Sequence, residues 1–257
     1  MIVCVIQARM GSTRLPGKVL MPVNGEKSIL EMLVERISVA PGLDRIIIAT
    51  STNAEDDQLE AFCHNHHYLI HRGSDWDVLT RFYGAAVQAG AKSGDHVIRI
   101  CADNPLSSAE TVQFVIEKYL HSKLDYFSNT NEPPYLEDGF DVEIFSFNAL
   151  HIAFEKAELL SQREHVTPFI KNSGLFTCGW QKHNDQYTHK LSVDTAEDLE
   201  LSKAIFSALQ VKPQFTIHDV VDLLQEKPEL LEINKSSEIN SGYAKSLRED
   251  KKIEKSS

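Results

Sequence analysis

The sequence is short of positive charge: 26 Lys and Arg stand against 37 Asp and Glu, a formal net charge of −11. A general nucleic-acid binder neutralises phosphates with Lys and Arg, so this balance excludes that class. No apolar run approaches the roughly 18 residues that a membrane-spanning helix needs. The run from Ile2 to Ile6 is too short for a signal peptide, and basic residues follow rather than precede it. Cysteine is scarce. Cys4, Cys63, Cys101 and Cys178 lie far apart with no metal-ligand spacing, and they read as reduced, buried thiols of a cytoplasmic protein. Twelve Gly and nine Pro in no repeat exclude fibrous and low-complexity chains.

What remains is a globular chain of 257 residues, long enough for one large α/β domain or two small ones. Ile2 to Ile6, Arg45 to Thr50 and His96 to Cys101 are continuous apolar runs of the kind found in strands buried on both faces. Helical patterns lie between them. Ser28 and Glu31 form a capping box ahead of Ile29, Leu30, Leu33, Val34 and Ile37. Val78, Leu79, Phe82, Ala85, Ala86 and Ala89 make a second stripe ended by Gly90, and Val112, Val115, Ile116 and Tyr119 a third. This alternation predicts βαβ units and a mixed, mainly parallel sheet flanked by helices.

After about residue 124 the pattern changes. Phe140 to Phe145 alternates apolar with acidic residues and predicts a strand open to solvent on one face. Helices are expected at 147–157 and 162–172, strands at 175–179 and 189–193, and a helix capped by Asp194 with Glu197. No linker divides residues 1–233, which read as one α/β domain. Residues 234–257 are rich in Lys, Ser and Glu and read as a tail whose last ten residues are disordered.

The most informative segment is Gln7-Ala8-Arg9-Met10-Gly11-Ser12-Thr13-Arg14-Leu15-Pro16-Gly17-Lys18. It follows the first strand and carries three cations, with no acid before Glu26. Gly11 and Gly17 allow close backbone approach, and successive N–H groups can line an anion site at the carboxyl end of a strand. A polyphosphate is the natural occupant; a solvated basic loop is the plainer reading. It is not a Walker A loop, since five residues separate the glycines and Val19 follows Lys18.

This loop resembles the triphosphate-binding loop of cytidylyltransferases such as CMP-Kdo and CMP-sialate synthetases, and more closely that of the spore coat polysaccharide biosynthesis protein F branch. The resemblance continues through Arg72-Gly73-Ser74 with Asp77-Val78-Leu79 and Arg81, then Ala102-Asp103-Asn104-Pro105-Leu106. It resumes in Asp138 to Glu143, Glu164-His165-Val166-Thr167-Pro168, Ser192 to Asp198 and the Asn240 to Leu247 ending. It implies the nucleotide-diphospho-sugar transferase architecture and CMP transfer from CTP to an acidic sugar-like acceptor, with release of pyrophosphate. It also implies Mg²⁺ dependence and a homodimer.

The resemblance assigns Arg9, Arg14 and Lys18 to the β- and γ-phosphates. Ala8, Gly11 and Ser12 of the same loop, with Arg72, Gly73, Ser74, Asp77 and Arg81, fall to the nucleotide. Asp103 and Asp194 fall to the metal. From the residues alone, Asp194 also suits a helix cap, and Arg81 an i,i+4 partner for Asp77. Asp141 and Glu143 share a strand face and either orient acceptor hydroxyls or face water. His165 either donates to an acidic acceptor or is a structural hydrogen-bonder. His64, His66 and His67 read as solvated surface.

Two other functions are compatible with these features. Asp75-Trp76-Asp77 has the D-x-D form of metal-dependent glycosyltransferases, and a non-catalytic nucleotide-binding subunit would keep the loop without turnover.

Overall fold

A computed structural model of the chain describes residues 1–130, 138–181, 189–237 and Asp250. The first half alternates as the apolar periodicity requires. Strand β1 (Ile2–Gln7) is followed by a short hairpin, β2 (Pro22–Asn24) and β3 (Lys27–Ser28), and helix α1 (Ile29–Ile37). Then come β4 (Arg45–Ser51), α2 (Asp57–Asn65), β5 (Leu69–Gly73), α3 (Val78–Gln88), β6 (His96–Cys101) and α4 (Ala109–Leu120). The Ser28–Glu31 capping box forms at α1.

The second half adds β7 (Tyr126–Ser128), β8 (Glu143–Ser146), α5 (Phe147–Lys156), α6 (Leu160–His165), α7 (Pro168–Asn172) and β9 (Cys178–Trp180). It ends with α8 (Ala196–Ala208) and α9 (Ile217–Glu226).

Seven strands form one sheet in the order β5-β4-β1-β6-β8-β7-β9. β5, β4, β1 and β6 run parallel, β8 is antiparallel to both β6 and β7, and β9 is parallel to β7. The sheet is therefore mixed and mainly parallel. Cys4, Ile6, Ile48 and Ile98 face α1 and α4 on one side, whereas Val3, Val5, Ile47 and Val97 face α3 and α5 on the other. Such double-sided burial is what a continuous apolar run encodes. A third cluster joins α8 and α9 to Val23, Ile29, Leu106, Phe140, Leu191 and Val193.

Four expectations need correction. The strand over 140–145 is shorter, at Glu143–Ser146, and no face of it is open to water: Phe140, Val142, Ile144 and Phe145 are fully buried and Glu143 nearly so. Its acidic position points into an internal polar network of Arg99, Tyr126 and Thr167. The segment 189–193 forms only an isolated bridge, Asp138 with Lys190. The single helix expected at 162–172 is two helices, because Val166 takes φ +68° and Pro168 restarts the chain. Helix α8 is capped by Thr195 with Asp198, one residue later than Asp194 with Glu197.

His64, His66 and His67 are exposed, as expected. Most of the tail, including Asn240 to Leu247, lies outside the described residues. Asp250 accepts hydrogen bonds from Ser161 N (3.0 Å) and Oγ (2.8 Å) in the first turn of α6.

Candidate active site

The basic loop leaves the carboxyl end of β1, between the ends of β4 and β6, where open parallel sheets bind ligands. It is pinned from beneath. Gly17 N donates to Met10 O (2.8 Å), and Met10 N donates to the fully buried Asp56 Oδ1 (2.6 Å). The other Asp56 oxygen accepts from Ser51 N (3.0 Å) and from Ser51 Oγ. Ala8 N reaches Ala49 O (3.1 Å), and Ser12 Oγ accepts from Leu15 N (3.4 Å). At Gly11 a Cβ would displace the end of the exposed Glu55 side chain. Gly17, with φ +73°, adopts the left-handed conformation that turns Lys18 inward.

The Lys18 ammonium stands at the centre. It donates to Asp103 Oδ2 (2.8 Å), Asp194 Oδ1 (2.9 Å) and Val193 O (2.7 Å). Arg14 Nη2 meets the same Asp194 oxygen at 2.9 Å. Asp103 follows β6 and Asp194 precedes α8. The two segments are tied directly, since Val193 N donates to Asp103 O (2.8 Å). Because Thr195 caps α8, the Asp194 side chain is released from capping and faces the loop.

Burial alone would lower the Lys18 ammonium, but Asp103 and Asp194 outweigh it and hold it above its ordinary value. Burial would likewise raise the Asp194 carboxyl, yet Lys18 and Lys190 pull it down to about 2. This carboxylate is ionised at every physiological pH.

Oxygen-only donors at the ends of adjoining segments suit a hard divalent cation completed by substrate phosphates. Among the described residues, no three His, Cys, Asp or Glu side chains form a self-sufficient metal centre. Asp103 and Asp194, both within reach of one ammonium, fit such a phosphate-assisted site.

Arg9 is exposed at the loop's rim and pairs with Asp75 (3.1 Å). Arg72, at the end of β5, donates to Ser51 O (2.9 Å) and Asn53 O (2.9 Å) and pairs with Asp57 and Glu60 (2.7 Å each). Its guanidinium thus braces the β4–α2 connection. Gly73 lies flush against Arg81, where a Cβ would come 3.0 Å from the Arg81 Cβ. Ser74 Oγ accepts from Asp77 N (3.0 Å).

Asp77 caps α3 and forms a buried fork with Arg163 at 3.0 and 2.6 Å. Its partner is therefore Arg163 on α6, not Arg81. Arg81 Nη1 donates to Ser74 O (2.7 Å), while Nε and Nη2 are buried without a hydrogen-bond partner among the described residues. Burial, with Arg9 nearby, lowers Arg81 to about 10. The D-x-D reading fails on this geometry: Asp75 holds Arg9, Asp77 is committed to Arg163, and the two do not converge on one cation.

Glu143 accepts from Tyr126 OH (2.6 Å) and Thr167 Oγ1 (2.8 Å) and pairs with Arg99. Burial would raise this carboxyl, but Arg99 and Lys171 hold it at about 2. It faces neither water nor a free acceptor space. Asp141 is partly exposed and accepts from Gly139 N (3.1 Å); burial, reinforced by Asp138, pushes it up to about 7. His165 ends α6 beside a tight turn in which Thr167 N reaches back to His165 O (2.8 Å) across Val166. Burial and then Arg99 press its imidazole down to about 4, so the ring is neutral.

Sequence reasoning missed Asp56, Arg163 and Lys190. Each is a single polar residue in a connection or short helix, without a motif to mark it.

The family model of cytidylyltransferases matches residues 3–236. The chain belongs to this family. The enzyme is thus a nucleotidyltransferase, and its relatives agree. It is 33% identical to the spore coat polysaccharide biosynthesis protein SpsF of Bacillus subtilis, over 89% of this chain and 95% of SpsF. It is 28% identical to an 8-amino-3,8-dideoxy-manno-octulosonate cytidylyltransferase of Shewanella piezotolerans, over 77% of this chain and 82% of that one. The solved structure of a cytidylyltransferase from Leptospira borgpetersenii superposes with a TM-score of 0.82 at 25% identity, covering 93% of this chain and 98% of that chain. The nucleotide-diphospho-sugar transferase architecture of this cytidylyltransferase therefore stands, as does its place beside the SpsF branch.

Proposed function

We propose that this enzyme transfers CMP from CTP to an acidic sugar or sugar-like acceptor, with Mg²⁺ and with release of pyrophosphate, in surface polysaccharide assembly. The observation that carries the reading is the Lys18 ammonium held between Asp103 and Asp194 at the mouth of a glycine-bearing basic loop. Two cations, Lys18 and Arg14, pair with two carboxylates, Asp103 and Asp194. A metal-bound triphosphate offers each a replacement of matching sign: phosphate oxygens for Lys18 and Arg14, and a divalent cation for Asp103 and Asp194.

The acceptor oxygen, from a carboxylate or from a hydroxyl that gives its proton to solvent, attacks the α-phosphorus, the bond to the bridging β-phosphate oxygen breaks, and pyrophosphate departs with that electron pair. Lys18, Arg14 and Arg9 hold the β- and γ-phosphates and stabilise charge that builds on the leaving oxygen. When bound, the divalent cation neutralises phosphate charge and polarises the α-phosphate. Asp141 and His165 border the acceptor side, and the neutral His165 ring offers a hydrogen bond rather than a charge. Glu143 acts indirectly, by fixing Arg99 and Thr167.

The names of the SpsF and octulosonate relatives support a sugar-acid acceptor and a polysaccharide context. Incubation with each nucleoside triphosphate, Mg²⁺ and a panel of acidic sugars tests the reading. Pyrophosphate should appear with CTP and not with the other nucleotides. Release of a nucleoside diphosphate from a sugar nucleotide, with no pyrophosphate from CTP, overturns it. The homodimer implied by the resemblance is tested by light scattering of the purified chain.

A further inference from the structure

Asp194 is held on both sides, and by cations of different character. Its Oδ1 faces Lys18 and Arg14, the two groups that the proposed function assigns to phosphates. Its Oδ2 lies 3.0 Å from the ammonium of Lys190, four residues earlier in the chain. Lys190 is sealed in, with a side chain 5% exposed. Its ammonium donates to Ser192 O (2.8 Å), Ser192 Oγ (2.7 Å) and Asp198 Oδ2 (3.4 Å), which uses all three N–H bonds, while Asp194 stands beside it as an ion pair.

Around it, Ser192 Oγ donates to Asp138 Oδ2 (2.6 Å), and Asp198 Oδ2 lies 3.4 Å from the ammonium. Asp198 accepts from Asp194 N, Thr195 N and Asn234 Nδ2 at 2.8 to 3.0 Å. Lys190 is thus anchored to the start of α8, whereas Lys18 and Arg14 ride on the loop. No step of the proposed reaction uses Lys190.

We infer that Lys190 is a positioning residue: it keeps Oδ2 of Asp194 occupied, so that the carboxylate offers Oδ1 alone to the divalent cation that arrives with the nucleotide. The inference rests on the nucleotide reading above. It follows from the exchange of partners. When phosphates draw Lys18 and Arg14 away, a buried carboxylate left with no cation of its own would be costly and free to rotate. Lys190 supplies the counter-charge throughout and fixes the plane of the carboxylate. Groups that orient a metal ligand from behind typically change metal affinity by about 10–100-fold when removed.

The test titrates Mn²⁺ into the chain with CTP present and no acceptor, reading free Mn²⁺ by electron paramagnetic resonance. CTP affinity without metal is measured alongside by calorimetry. Lys190→Met is expected to raise the half-saturating Mn²⁺ concentration by about tenfold or more. Metal-free CTP affinity should stay within about threefold, a split that general loss of structure would not produce. Ser192→Ala, which loosens the ammonium but keeps its charge, should raise the same Mn²⁺ concentration by about threefold.

A folded Lys190→Met chain that binds Mn²⁺ as the wild type does overturns the inference, and so does a parallel loss of both affinities. If Lys190→Met does not fold, an unchanged Mn²⁺ concentration in Ser192→Ala overturns it instead. If wild-type chain shows no Mn²⁺-dependent CTP binding, the nucleotide reading itself fails and the inference with it.

Discussion

At the residue scale the site is organised by sign. Lys18 touches both candidate metal ligands and is expected to touch phosphate when a nucleotide binds. Lys18→Met should lower kcat/KM for CTP by about 10²–10³, the usual loss when one donor to developing transition-state charge is removed. Steady-state pyrophosphate release measures it; a loss below about tenfold would exclude Lys18 from the transition state. Asp103→Asn should abolish turnover at ordinary Mg²⁺ and leave the circular dichroism spectrum and Tm nearly unchanged, because the volume is kept and the side chain is only partly buried. Turnover near the wild-type rate would remove Asp103 from the metal site. These two residues were legible from the sequence, since a cation after a glycine turn and an acid after an apolar strand are local patterns.

At the element scale, helices α3 and α6 are joined by the buried Asp77–Arg163 fork. Asp77→Ala would strip a cap from α3 and strand the Arg163 guanidinium, and breaking such a pair costs about 3–5 kcal/mol. Chemical denaturation reads this directly, and a cost under about 1 kcal/mol would show the fork to be dispensable. At Gly139, with φ +107°, an added Cβ would lie 2.7 Å from Leu191 C and 2.8 Å from Ser192 N, so Gly139→Ala should lower the Tm and reduce expression. Thermal melts and soluble yield report both.

The elements themselves were readable wherever periodicity alone decides, as in strands β1, β4 and β6 and helices α1, α3 and α4. They were not readable where long-range packing decides. The acidic positions near 141–143 looked like a wet strand face because sequence carries no sign of the distant Arg99, Tyr126 and Thr167 that absorb Glu143. The cap of α8 was ambiguous by one residue, since Asp194 and Thr195 are both good caps. That single residue matters, because it decides whether Asp194 serves its own helix or the cleft.

At the scale of the whole molecule, buried carboxylates set the response to acid. Asp194 and Glu143 have folded values near 2, below their unfolded values of 3.8 and 4.5. The unfolded chain therefore binds more protons below about pH 4.5, and stability present above that pH is lost as pH falls toward 2. Asp141 acts in the opposite sense. Its folded value near 7 means the folded chain binds the extra proton between about pH 4 and 7, so stability declines across that window as pH rises. Asp141→Asn should flatten the decline between pH 5 and 7, whereas Asp194→Asn should blunt the acid limb. Urea midpoints measured across pH resolve the two, and parallel curves for Asp141→Asn and wild type would refute the Asp141 assignment.

The mutual neutralisation around Lys18 also bears on how quickly a nucleotide is captured. Long-range attraction depends on net field, and here each loop cation already has an acidic neighbour, Arg9 with Asp75 and Arg14 with Asp194, within a strongly anionic molecule. An approaching triphosphate meets no electrostatic funnel until the pairs part. Stopped-flow association of Mg-CTP should accordingly be slow for so charged a ligand, well under the roughly 10⁸ M⁻¹s⁻¹ of steered encounters, and should not slow as salt is added.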